Sequence, residues 1–208
     1  PKSCDMVFSS GGDFITLGNH TFKRPEIMEY LDKNIPVIRP YNFPKGAPGK
    51  GVGIIDKGRF RIAVINMQGT VYSEPLGNPF WEIDKALEET DGCKTIIVDF
   101  HAEATAEKKA LGYYLDGKVS AVFGTHTHIQ TSDAQVLANG TGYITDLGMT
   151  GPEESVLGVK KEIIIEKFRK GFAPMFETAD TPCFMQGCVF TIDRDTGKTV
   201  EATAVTVR

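Results

Sequence analysis

Apolar positions along this chain gather in short runs punctuated by glycine, proline and asparagine, and two spacings alternate. Thr95-Ile-Ile-Val-Asp99 and Ala121-Val-Phe123 are nearly continuous, as in strands buried on both faces of a parallel sheet. Between such runs, Phe80, Ile83 and Leu87 recur at helical spacing behind Asn78-Pro79, and Gly92 is the expected stop. Thr105 to Asp116 reads as another helix, closed by Gly117. Strands alternating with helices predict an α/β layered fold with a largely central sheet.

The remaining elements follow from the same rules. Residues 1–10 read as a helix tail stopped by Gly11-Gly12, and Phe14 to Leu17 as a short strand. Pro25 suits the first turn of a helix over Glu26–Leu31, with Ile27, Tyr30 and Leu31 on one face. Ile35 to Ile38 is a buried strand, and the Pro/Gly-dense stretch Arg39 to Gly51 must be a loop. Val52–Ile55 and Arg59–Asn66 flank Asp56-Lys-Gly58 as a hairpin, and Tyr143-Ile-Thr145 is a further strand. The tail predicts a helix over Val159–Phe168 and then β segments at Phe172–Glu177, Phe184–Ile192 and Glu201–Val207. The last two are joined by a turn at Asp193–Gly197. It holds no histidine, so its expected task is to close a second sheet.

Composition narrows the classes. With 208 residues, 41% hydrophobic and 24% charged, the chain is sized for one domain, 1–208, with a sizeable core. A net charge of −4 and no Lys/Arg tract give no footprint for nucleic acid or a membrane surface. No apolar run is long enough to span a bilayer, and the cytoplasm is the expected location. Cys183 and Cys188 are close enough for a zinc half-site, but no second Cys or His pair follows, so incidental thiols are expected.

The chemistry lies in the histidines. There are four, His20, His101, His126 and His128, and each of the three places that hold them follows directly on a β-type run. Along an extended segment residues two apart share a face, so His126 and His128 are expected to project together from one strand end. Singly, a Gly-Asn-His is most often a turn, and a histidine after a buried strand is most often a core residue. Their joint address is what counts, because sites in open α/β sheets lie at the carboxyl ends of strands. Imidazole nitrogen with an amide oxygen from Asn19 suits a divalent ion such as Mn²⁺, Fe²⁺ or Zn²⁺. Asp99 and Glu103 flank His101, and Glu103 could accept an imidazole N–H from behind.

Gly18-Asn19-His20, a distant histidine and Gly124-Thr-His126-Thr-His128 resemble the later blocks of the calcineurin-type metallophosphoesterase signature. The wording of Ile15 to Thr21, Asp99 to Thr105, Gly124 to Thr131 and Tyr143 to Pro152 is similar to the bacterial YmdB-like phosphodiesterases, over nearly the whole chain. The resemblance implies a layered sandwich of two sheets flanked by helices, and two divalent metals (Fe, Mn or Zn). It implies Asn19, His101 and His126 as ligands of one metal, His128 as a ligand of the other, and His20 as the catalytic group beside the phosphate. The implied reaction is hydrolysis of small phosphodiesters such as 2′,3′- or 3′,5′-cyclic nucleotides. It picks out no substrate-pocket residue and leaves a homo-oligomer open.

The family also needs an Asp and a Glu-Asn pair on two earlier strand ends, and neither block is present here. The expectation is therefore an N-terminally truncated chain that keeps ligands for one ion and has little or no activity alone. Two rivals are an amidohydrolase-type metalloenzyme and a non-catalytic metal-binding regulatory protein. The first is disfavoured because its histidines would continue beyond a first-strand His-x-His. The second suits the missing carboxylates.

Overall fold

The structure, a computed structural model, describes residues 1–33, 35–172 and 175–208. Six strands make the main sheet: β3 (Val52–Asp56), β4 (Arg61–Gln68), β5 (Thr95–His101), β6 (Ala121–Thr125), β7 (Gln135–Val136) and β8 (Gly142–Ile144). They lie in the order β3-β4-β5-β6-β8-β7. β4, β5, β6 and β8 run parallel, while β3 and β7 close the two edges antiparallel. Parallel neighbours need crossover connections, and the apolar stripes predicted above supply two of them. These are α3 (Pro79–Glu88), capped by the Asn78 side chain on Phe80 N–H, and α4 (Thr105–Tyr114). Ile83, Ala86, Leu111 and Leu115 from these helices pack on Ile65, Val98, Phe100 and Val122 of the sheet to form the main core.

That packing covers one face of the sheet, and period-2 alternation decides what the other face carries. Ile96, Val98 and Phe100 of β5 sit in the core, so Asp99 and His101 point the opposite way. Asn66 of β4 lies beside Asp99 and Gln68 beside His101 in the parallel register, so these four polar residues share the second face. It abuts a smaller unit: α1 (Lys2–Ser9), β1 (Ile15–Thr16), α2 (Glu26–Leu31) and β2 (Val37–Ile38), the two strands parallel. Cys4, Ile27, Leu31 and Val37 form its own small core. The Asn66 amide donates to Leu17 O at 2.5 Å and Tyr41 N–H donates to Asn66 O at 2.8 Å, which ties this unit to β4.

A third sheet, β9 (Thr150–Pro152), β10 (Cys183–Ile192) and β11 (Thr199–Val207), is antiparallel in the order β11-β10-β9. The Gln130 amide holds it to the rest by donating to Leu147 O, Gly187 O and Val205 O. The tail does build a second layer, as expected, but with β9 as an unforeseen partner strand.

Three sequence expectations need correction. The tail helix, α5, spans Lys161–Lys170 rather than Val159–Phe168, because Val156 and Val159 are bridged across a tight turn. Gly171, at φ +77°, ends it. Of the expected β segment Phe172–Glu177, Phe172 and Met175–Glu177 are not in a strand, and residues 173–174 lie outside the described residues. The strand before the His-x-His pair stops at Thr125: His126 and His128 have φ +101° and +66°, so the pair sits on a turn and the strand-alternation argument does not apply to it. The four cysteines are free, and Cys183 and Cys188 sit at odd spacing on one strand, on opposite faces.

Candidate active site

The carboxyl ends of β5 and β6 and the loop after β1 meet at His101. Its Nε2 lies 2.9 Å from Asn19 Oδ1 and 3.1 Å from His126 Nδ1. The two imidazoles stand nearly perpendicular, at 80° with ring centroids 4.8 Å apart. Gly18 makes this approach possible. A Cβ there would fall 2.4 Å from His101 Cε1 and Nε2, so the glycine is needed because the ring lies directly on it. Gly18 opens a turn closed by Thr21 N–H on its carbonyl, but its φ is not positive, so a left-handed backbone is not the reason for the glycine.

The protons in this corner can be placed by following the donors. Thr125 Oγ1 donates to Asp99 Oδ1 at 2.8 Å, which leaves its lone pair for His101 Nδ1–H at 3.0 Å. His101 Nε2 is then bare. His126 Nε2 faces Glu103 Oε2 at 2.9 Å, so its N–H belongs there and Nδ1 is bare too. Three lone pairs, on Asn19 Oδ1, His101 Nε2 and His126 Nδ1, are thereby turned on one another at hydrogen-bond range with no proton between them. A cation between them would remove that clash of lone pairs, and imidazoles held from behind by a carboxylate or hydroxyl are the usual form of metal-ligating histidine. Burial first, then the neighbouring His126, lowers the His101 pKa to about 3, so the ring is neutral at ordinary pH. Burial also raises Asp99 to about 6, against the opposing pull of the Thr16 and Thr125 hydroxyls.

The turn that presents His126 is braced from below. Asp146 Oδ2 accepts from Thr127 N–H at 3.2 Å and Thr127 Oγ1 at 2.6 Å, between the two left-handed histidines. The same oxygen takes Lys108 Nζ at 2.7 Å, with both side chains almost wholly out of solvent, at 1% and 0% exposure. Positive φ is rare for non-glycine residues and persists only when the surroundings over-determine it. Gly124 opens the path for the lysine: a Cβ there would meet Thr145 O at 1.8 Å and Lys108 Cδ at 2.9 Å.

Of the five residues singled out from sequence, Asn19, His101 and His126 are brought into contact. His20 is exposed and near enough to His101 to disfavour its protonation. His128, exposed at the far end of the turn, makes no hydrogen bond to the other three among the described residues. No group of three or more His, Cys, Asp or Glu side chains that could hold a metal occurs among the described residues, since the third donor here is an amide. Sequence reasoning missed Thr125, Lys108 and Asp146. It also missed Asn66 Oδ1 and both side-chain polar atoms of Gln68, which are buried without hydrogen-bond partners on the face that carries His101. A polar run at Asn66 and Gln68 inside an otherwise apolar strand was the available signal.

A family model for YmdB-like proteins matches residues 1–205. The chain belongs to the YmdB-like family. It is 44% identical over 201 residues to a 2′,3′-cyclic-nucleotide 2′-phosphodiesterase of Bacillus subtilis (strain 168), covering 96% of this chain and 76% of that protein. A crystal structure of a hypothetical protein from Thermus thermophilus matches with a TM-score of 0.90 at 36% identity, covering 99% of this chain and 80% of the other. A novel phosphatase from Mycoplasma pneumoniae gives a TM-score of 0.90 at 32% identity, over 99% and 75%. This YmdB-like chain therefore has the mixed α/β fold of phosphatases, with a multi-stranded sheet flanked by helices.

Proposed function

We propose that this YmdB-like chain carries part of the centre of a metal-dependent phosphodiesterase acting on small phosphodiesters, cyclic nucleotides (2′,3′- or 3′,5′-) among them. The observation that carries the reading is the meeting of Asn19 Oδ1, His101 Nε2 and His126 Nδ1 with their lone pairs inward. The name of the Bacillus subtilis relative supports the substrate class. A divalent cation held by Asn19, His101 and His126 would supply positive charge against phosphoryl oxygens and would make water acidic enough to act as nucleophile near neutral pH.

The chain's own residues do the rest. Asn19, His101 and His126 hold the ion, while Thr125 and Glu103 fix which imidazole nitrogen is bare. His20, exposed and near His101, would give a proton to the leaving alkoxide or balance its charge, a task suited to a histidine. His128 is a candidate ligand for a second ion. A purely regulatory metal-binding protein is the second reading, favoured by the lack of a carboxylate among the three converging donors.

Mn²⁺ binding by electron paramagnetic resonance and hydrolysis of 2′,3′-cyclic AMP, measured on the same chain, separate these readings. One bound ion per chain with slow, Mn²⁺-dependent turnover that His126→Ala abolishes is the expected result. Bound Mn²⁺ without turnover of any phosphodiester would leave the regulatory reading, and absence of both would end the metal-centre assignment.

A further inference from the structure

Beside His128 the backbone breaks a local rule. Val156 and Val159 exchange N–H···O=C bonds of 2.9 and 3.1 Å around Leu157-Gly158, whose φ values are +52° and +92°. Two central residues at positive φ make a type I′ turn, where Asn, Asp or Gly is the usual first residue. A leucine in that position is strained, and it gains no core in return, since it is 47% exposed. An outlier of this kind is a pointer to function.

What Leu157 does instead is line a cavity of about 210 Å³ together with His128, Ile129, Met149, Phe184 and Gln186. His128 also sits at positive φ, so two strained residues contribute to one cavity. Its chemistry is specific. Among the described residues the lining contains no lysine or arginine and one carboxylate, Glu153, which is engaged by Arg208 at 2.7 Å. A second phosphate would therefore find no countercharge here. Apolar side chains from the turn, the β9 side and β10, with the Gln186 amide beside them, match a flat, neutral group with hydrogen-bonding edges. Pockets of this kind take orientation from a few polar groups in a mostly apolar wall.

We propose that this cavity is a nucleobase subsite, with Leu157 and Phe184 as its apolar contacts and His128, two positions along the chain from His126, on its border. The assignment rests on the phosphodiesterase reading above for the identity of the ligand, but the cavity's geometry stands by itself. On this reading the positive φ of Leu157 costs turn stability but sets its side chain against the base.

Adenosine, which has no phosphate and needs no metal, is the probe. Saturation-transfer NMR on the 208-residue chain should show contact at the adenine H2 and H8 protons, with a millimolar or tighter Kd. Leu157→Asn should weaken adenosine at least fivefold while its melting temperature stays equal to or above that of the parent chain, because asparagine suits the turn. Phe184→Ala should weaken it similarly. Absent saturation transfer, or undiminished binding by L157N, would overturn the subsite. Hydrolysis of ribose 2′,3′-cyclic phosphate, which lacks a base, keeps the two readings apart. Turnover of that ester without adenosine binding leaves the phosphodiesterase and removes the subsite. Adenosine binding without turnover of either cyclic ester does the reverse.

Discussion

Lys108 Nζ lies 2.7 Å from Asp146 Oδ2, and neither side chain meets solvent. The aspartate also holds Thr127, so the ion pair and the turn that presents His126 share one oxygen. Removing one partner of a buried pair leaves an uncompensated charge, so Lys108→Met should lose about 3–5 kcal/mol in urea unfolding. Replacing both, as K108M/D146L, should recover most of that loss, because an apolar pair of similar volume is often neutral. The double variant should still bind Mn²⁺ at least tenfold more weakly, since Thr127 has lost its acceptor. Full recovery of Mn²⁺ affinity would show that the pair matters only for folding.

Thr125 links Asp99 to His101 through one hydroxyl. Thr125→Val strips a donor from a buried carboxylate and an acceptor from a ring N–H, at about 1–3 kcal/mol for each buried group left unpaired. Metal affinity should fall roughly 10–100-fold, the usual effect of losing a group that orients a ligand. Thr125→Ser keeps the hydroxyl and should restore affinity, as read by Mn²⁺ titration.

At Gly18 no side chain fits, because a Cβ would stand 2.4 Å from the His101 ring. Gly18→Ala must push the imidazole off Asn19, with an overpacking loss of about 1–3 kcal/mol. The measurable signature is disproportionate: Mn²⁺ binding should disappear while circular dichroism still reports a folded chain. Unchanged Mn²⁺ affinity in this variant would contradict the geometry of the corner.

In the metal-free chain the two buried titrating groups work against each other. Asp99, raised from 3.8 to about 6 chiefly by burial, adds stability that is complete below pH 3.8 and gone as pH rises past about 6. His101, lowered from 6.5 to about 3, adds stability that is complete above pH 6.5 and lost as pH falls toward 3. Asp99→Asn removes only the first slope. The stability of the parent chain relative to D99N, from urea curves between about pH 6.5 and pH 4, should therefore grow as the solution is acidified. A constant difference would mean that Asp99 titrates as an ordinary carboxylate.

Much of this was legible in the sequence because hydrophobic period and glycine stops are local signals. β5 and β6 were apparent from continuous apolar runs, α2 from Pro25, and α3 from Asn78-Pro79. Strands β7 and β9 were missed because Gln135-Val136 and Thr150-Gly-Pro152 lack the apolar run that marks β2 and β8 and pair only through tertiary context. Asn19, His101 and His126 were recognisable by type and by their place after strands. The brace beneath them was not, since Lys108 lies on a helix of mixed polarity and Asp146 in a loop, and nothing in either segment announces the other. The His-x-His geometry was misjudged for a related reason: a strand's alternation stops where the backbone turns left-handed, and that is fixed by Asp146 from a distance.

Asn19 and His101 are 82 positions apart and sit at the ends of different sheets, the small parallel pair and the six-stranded one. Any ion gripped by both is a cross-link that closes a long loop, and it exists only while the two layers are docked. Occupancy and cohesion between the layers are then one equilibrium. With such an ion bound, the chain's resistance to heat should rise with the logarithm of free cation concentration, and the protein would double as a gauge of that ion.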